Sequence, residues 1–489
     1  MLRKIIFLLI LSLSLVLSAC GAIDNQANEE AEEEALPSEG ELRLTKEELL
    51  YDFDYMIQIM EDVFPYFGLV ERRLGIDIRA LAGETRSMIQ HYPDSFQELL
   101  HEIGIAPEDM PPLCEHVFWS IVRTEFFAHI SPPGHTGILH HGLYHTLRPF
   151  YDWDVSAPLD YFNRKAFRNP ATQSFYEEQL LFFEALSEEQ EMFFQAIFAE
   201  HPALLRVLLG IEPVPAAPPS TITTDILEEG RIAYLSVPSF AQPNLNASRN
   251  LLMDFYQDIQ YYEHLIIDIR NNGGGRTDFW RMLIMYPLWA DRAYMPSMPL
   301  YAFYADSELG RFLAEAHIET EAEASRFISK SDCLLTVDEI LTSSHLPYLN
   351  EDDLLNLAYG VRLNTSLDNI DERHFRAERI SVPHIPFHGQ IWLLTNERNF
   401  SAASLFARHA KYMDFAILVG ESTGGGYTAT VVTSFSLPHT GIILRLDIDY
   451  LTDQSGRLLE EFPTTPHHFN QPGLDALETV LQLIAGGNY

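Results

Sequence analysis

The chain has 489 residues, with 70 acidic side chains against 32 basic ones and a formal net charge of −38. That balance argues against nucleic acid and anionic lipid surfaces as partners, since both select for Lys and Arg. The length supports two or three domains around a large core, and three cysteines are too few for a disulfide framework.

The chain opens with Arg3 and Lys4, then an apolar run from Ile5 to Leu17. This stretch is short for a bilayer span and reads as a signal peptide over 1–19. The tetrapeptide Leu17-Ser18-Ala19-Cys20 resembles a bacterial lipobox, which implies cleavage before Cys20, lipidation of its thiol and a lipid-anchored place outside the cytoplasm. A plain secretory signal is the alternative. Residues 20–45, with AIDNQANEEAEEEALPSEGE at 22–41, hold almost no large apolar side chains and read as a flexible acidic tether. Cys114 and Cys333 read as two small buried apolar residues, with a pairing between them left open.

Residues 46–220 read as a helical N-terminal domain. KEELLYDFDYMIQIMEDVF places Leu49, Phe53, Met56 and Met60 at helical spacing, and SFYEEQLLFFEALSEEQEMFFQAIF repeats that character within 159–210. The aromatic stripes are helix-packing surface. PVPAAPPS at 213–220 is a proline-rich break and marks a domain boundary. From 221 to 489 strands and helices alternate: strand 231–237, a helix with Leu251, Leu252, Phe255 and Ile259 on one face, strand 265–269, helix 277–286, strand 391–395, helix 401–411 and strand 415–419. Such alternation is that of an α/β core. Residues 291–388 interrupt it with acidic, aromatic-rich sequence, expected to be an insertion over the site.

The chemistry gathers at two places in this core. LIIDI runs into the turn Asn271-Asn272-Gly273-Gly274-Gly275, where absent side chains leave backbone N–H groups open. Ser401 stands just after IWLLT (391–395) and opens a helix. A hydroxyl at a helix N-terminus facing free N–H donors is what acyl transfer needs. The N–H groups of Gly274 and Ala402 are the expected oxyanion donors. A capping serine is the plainer reading of Ser401. No HExxH motif occurs, the spacing of His135, His140, His141 and His145 does not fit common zinc sites, and GESTGGG lacks the lysine of a phosphate-binding loop, so no metal or cofactor is expected.

LIIDIRNNGGG (265–275), NFSAAS (399–404) and AILVGESTGGG (416–426) together resemble the C-terminal processing (tail-specific) protease family in its tricorn-like branch, and RIAYLSVPSF (231–240) is similar to its first core strand. The resemblance covers residues 221–489 and a patch near His135. It implies a crotonase- and Clp-protease-like ββα superhelix core and a serine peptidase acting on peptide or protein substrates. Ser401-Ala402-Ala403-Ser404 matches the family's nucleophile motif except at Ser404, where glutamate is usual; Ser404 is read as a helix-surface residue. The family's usual lysine base is missing, since Gly424-Gly425-Gly426 stands where a Gly-Lys-Gly setting is common, and Lys411 lies about three turns along the serine's own helix. Tricorn-like members use a histidine instead. PPGHTGIL (132–139) resembles their motif and makes His135 the implied base; an imidazole, with its ordinary pKa of about 6.5, can take and return a proton near neutrality. The orienting glutamate implied by the resemblance falls at Glu460, within Glu460-Glu461-Phe462-Pro463-Thr464-Thr465-Pro466-His467. No peptide-binding PDZ module is evident. The whole reads as a membrane-tethered extracytoplasmic serine peptidase with a Ser-His-Glu acyl-enzyme mechanism, or else as an inactive relative that binds a ligand or protein.

Overall fold

The computed structural model describes residues 44–97, 112–130, 133–151, 160–184, 221–242, 244–291, 297–324, 334–366, 382–429 and 432–487. The leader, Cys20, the tether up to residue 43, the proline-rich break and Cys333 lie outside them. No helix among the described residues is long and apolar enough to cross a membrane. The strands are β1 (Gly137–Ile138), β2 (Thr223–Glu228), β3 (Ile232–Ser236), β4 (His264–Asp268), β5 (Ser297–Ala305), β6 (Leu335–Thr336), β7 (Leu357–Ser366), β8 (Gln390–Thr395), β9 (Ile417–Gly420), β10 (Thr433–Ser436), β11 (Ile443–Leu446), β12 (Tyr450–Asp453) and β13 (His468–Phe469). They belong to two compact units, Met1–Val214 with Val432–Asp447, and Pro215–Val431 with Ile448–Tyr489.

The first unit is mostly helical. Thr45 caps the helix Lys46–Val63 through its hydroxyl while Glu48 returns a bond to the Thr45 backbone, a reciprocal capping box. The predicted stripe of Leu49, Phe53, Met56 and Met60 is buried. Asp52 is buried on the same face and accepts N–H bonds from His439 (3.0 Å) and Thr440 (2.7 Å). Residues 432–447 therefore join this unit rather than the C-terminal core to which the sequence reading assigned them. Asn163 and Thr172 add bonds to the carbonyls of Val432 and Gly441 (3.1 and 2.6 Å). The segment forms a small antiparallel sheet in the order β1-β11-β10. Near it the helix Glu115–Ile121 widens into a π turn over Val122–Phe127.

The second unit is α/β. Its main sheet runs β13-β9-β8-β4-β3-β2, parallel throughout except for the antiparallel β2–β3 pair. The central β4 is buried along its whole length, which explains its uninterrupted apolar run. The helix Ala476–Gly486 lays Ala476, Val480 and Ile484 on Ile266, Trp392, Leu394 and Val419. In the helix Leu245–Ile259, Leu252, Phe255 and Ile259 are buried as expected, but Leu251 is 41% exposed and Met253 and Tyr256 complete the face. The stretch 291–388 carries a second sheet, β12-β5-β7-β6, antiparallel at each pairing. Its edge partner β12 comes from beyond residue 449.

Candidate active site

The main sheet ends in two turns that meet. After β8 the chain turns through Asn396–Phe400 and enters the helix Ala402–Tyr412 at Ser401. Ser401 has φ 54 and ψ −125, a conformation that a side chain disfavours by about 1–3 kcal/mol. Its hydroxyl makes no capping bond to the helix. The capping reading of this serine therefore falls. Neighbouring backbone holds the strain: Ser401 N donates to Gly425 O (3.0 Å), Leu405 N to Ser401 O (3.0 Å), Phe400 N to Asn272 O (3.2 Å) and Gly424 N to Asn399 O (2.8 Å). A sharp strand-to-helix turn of this kind lifts a nucleophilic hydroxyl away from its own backbone.

The glycine turn packs directly on this elbow. A Cβ at Gly274, where φ is +103, would lie 2.8 Å from Ser401 Cβ and 3.0 Å from Ala402 N. Only glycine leaves that space open. One expectation is corrected here: the Gly274 N–H donates to Oδ1 of buried Asn272 (2.8 Å), so this donor is already committed. Gly274 contributes clearance, and Ala402, in the first turn of the serine's helix, carries the remaining expected donor. Asn272 also bonds Val237 O through Nδ2 (2.8 Å), and Asn271 and Asn396 exchange bonds of 3.0 and 2.9 Å between the two turns. Asp268 and Arg270 brace the base of the turn. Arg270 donates to Asp268 and to Asp475, and Tyr234 donates to Asp268 (2.7 Å).

Behind the serine stands the triple glycine. Gly425 has φ +97 and a Cβ there would lie 3.0 Å from Glu460 Oε1; a Cβ on Gly426 would lie 2.6 Å from the Phe400 ring. Glu460, 9% exposed, accepts N–H bonds from Gly426 (2.9 Å) and Tyr427 (3.3 Å). The Tyr427 hydroxyl joins Thr423 and Thr464, and Thr464 N closes the knot onto both. Glu460 thus anchors the loop whose Gly425 carbonyl receives Ser401 N. Ser404 is also corrected: it is fully buried, and its hydroxyl donates to Asn399 O (2.9 Å) inside the same turn. It is not a surface residue.

His135 lies in the first unit, immediately before β1. Its backbone N donates to Asp447 Oδ2 (2.8 Å), and its ring Nδ1 sits 3.1 Å from both Asp447 oxygens. Asp447 is fully buried. The place given to Glu460 by the sequence reading, a carboxylate against Nδ1, is taken by Asp447. The reason is register: Gly137 pairs with Arg445 and Ile138 with Leu444, and the same antiparallel register carried outward sets His135 opposite Asp447. Gly134, at φ +62, is needed because any Cβ there would overlap Asp447 Oδ2. The ring's second nitrogen is Nε2, on the side away from Nδ1. Burial pushes His140 down to about 2 and His141 down to about 4, which holds both neutral and removes them as proton shuttles near neutrality. Among the described residues, no three His, Cys, Asp or Glu side chains are grouped to hold a metal.

Residues 231–468, from β3 to β13, match the model of peptidase family S41. That part of the chain belongs to the family. The match supports the class of a peptidase, a hydrolase of protein or peptide substrates, for that part of the chain. No curated protein matches the chain. Similar solved structures include a lipoprotein from Streptococcus agalactiae, 13% identical over 93% of this chain and 100% of its own, with a TM-score of 0.42. Mature CPAF is 13% identical over 87% of this chain and 92% of its own (TM-score 0.44). The photosystem II D1 C-terminal processing protease is 16% identical over 54% of this chain and 51% of its own (TM-score 0.31). Gly425 faces the Glu460 carboxylate closely enough that a longer side chain would have to displace it.

Proposed function

We propose that the protein is a serine peptidase in which Ser401 attacks the peptide carbonyl. His135 takes the hydroxyl proton through Nε2 and returns it to the leaving amine, while Asp447 holds the Nδ1–H and fixes the tautomer. The Ala402 N–H, at the positive end of its helix, stabilises the oxyanion. Glu460 supports the nucleophile's loop and takes no direct part in this reading. The observation that carries the proposal is the strained, uncapped backbone of Ser401, packed against a glycine that no other residue could replace. Strain of that kind persists where the surrounding structure and the chemistry require it.

The decisive test is Ser401→Ala in the soluble chain lacking the leader. Peptide hydrolysis and labelling by a fluorophosphonate probe should both disappear, and retained hydrolysis would end the proposal. Asp447→Asn should lower kcat by about a thousandfold or more, with folding intact, because the amide favours the wrong imidazole tautomer.

We further propose, from the leader and Cys20, that the enzyme is lipid-anchored on the outer side of a bacterial cell membrane, with peptides or proteins as its substrates. Cys20→Ala should release it into the medium. Equal membrane retention of the variant would remove the anchor from this account.

A further inference from the structure

The two strands that adjoin His135 and Asp447, β1 and β11, are joined by an interrupted ladder. Leu139 and Ile443 are the pair that follows Ile138 and Leu444, and Leu139 N donates to Ile443 O at 2.7 Å. In an antiparallel sheet the reciprocal bond would run from Ile443 N to Leu139 O. Here it does not. Ile443 N donates instead to the Tyr176 hydroxyl (3.1 Å), and that hydroxyl donates to Leu139 O (3.0 Å). One phenol is inserted into the ladder as a relay. Tyr176 comes from the helix Pro170–Glu184 and is fully buried, its ring stacked on Tyr144 at 4.3 Å. Trp119 adds a second donor to the same carbonyl at 3.3 Å.

We infer that Tyr176 is a positioning residue: its hydroxyl fixes the register of β1 against β11 and so the alignment of the His135 ring with Asp447. A slip of one residue would bring Leu446 or Ile448 opposite His135 and turn the side chains to the other face. A two-residue strand has little of its own to prevent this, having only Gly137 and Ile138 in register. The relay supplies the missing constraint at a fixed point, four residues from His135 on one strand and four from Asp447 on the other. Burial pushes the phenol up, so it remains a donor at every pH where the enzyme works.

The catalytic consequence rests on the Ser401–His135 reading; the alignment itself does not. The test therefore reads both. In the soluble chain labelled with 15N-histidine, the Nδ1–H of His135 should give a downfield proton resonance, assigned by its loss in Asp447→Asn. Tyr176→Phe keeps the ring stack but removes the relay. It should broaden or abolish that resonance and lower kcat about tenfold with KM within twofold. Trp119→Phe should weaken the resonance less. An unchanged resonance in Tyr176→Phe overturns the inference, even if the melting temperature falls. If Tyr176→Phe does not fold, an unchanged resonance in Trp119→Phe overturns it and a weakened one supports it. A lost resonance together with hydrolysis that survives Ser401→Ala would keep the positioning role and remove only the serine mechanism.

Discussion

Ser401 and its contacts show how far single residues could be read. The serine's position after an apolar strand was visible in sequence, because a buried strand and the helix that follows leave a recognisable pattern. Its orientation was not, since a positive φ on a serine comes from bonds to Gly425 and the turn around Asn272, which lie far away in the chain. Asp447 was missed for the same reason. It is 312 residues from His135, and nothing local marks it. Asn272 was passed over inside a glycine-rich run, yet it is fully buried and bonded on both faces of its amide. Asn272→Ala should leave Val237 O and Gly274 N without their partner and cost about 1–3 kcal/mol in urea unfolding. A loss within error would mean that water replaces the amide there. Gly134 makes the companion case: Gly134→Ala forces a side chain onto Asp447 at φ +62. It should reduce turnover at least as far as Asp447→Asn does, while the S41 core keeps its fold.

At the scale of elements, the parallel strands were legible as apolar runs because burial on both faces removes any alternation. The sheet β12-β5-β7-β6 was not, since its neighbours are remote in sequence and the end of β5, Phe303 to Ala305, is buried without alternation. Neither was the transfer of 432–447 to the helical unit, because its anchors are the single side chains Asp52, Asn163 and Thr172. Glu460 separates two accounts of one element. If it anchors the loop Gly424–Tyr427, Glu460→Gln keeps an oxygen acceptor for the Gly426 and Tyr427 amides while losing the charge. A fall in kcat of about tenfold is then expected, since a charge-assisted bond is roughly twice as strong as a neutral one. A fall as deep as that of Asp447→Asn would return Glu460 to the role of orienting the histidine. Steady-state kinetics on both variants at one pH separates the two.

For the whole molecule, the governing quantity is charge under changing pH. With 70 acidic residues, self-repulsion is relieved on acidification first as exposed histidines gain charge and then, more strongly, as carboxylates protonate near their ordinary pKa of about 4. Above that range the buried histidines act with the opposite sign. His409 is buried against Trp280 and is pushed down to about 3 by desolvation; His140 and His141 follow in the other unit. In the unfolded chain each imidazole binds its proton at about 6.5, so the unfolded state takes up protons first as pH falls. Their folded pKa values are depressed, so the stability they allow is complete above about pH 6.5 and is lost on the way down toward the folded values. Each contributes a slope of about 1.4 kcal/mol per pH unit once the unfolded form titrates fully. Stability measured from pH 7 to 5 should therefore decline, before carboxylate protonation complicates the trend. His409→Phe, which keeps an aromatic ring against Trp280 but cannot take a proton, should make that decline shallower. If the two slopes coincide, His409 is not held neutral in the folded core, and the acid sensitivity belongs to other groups.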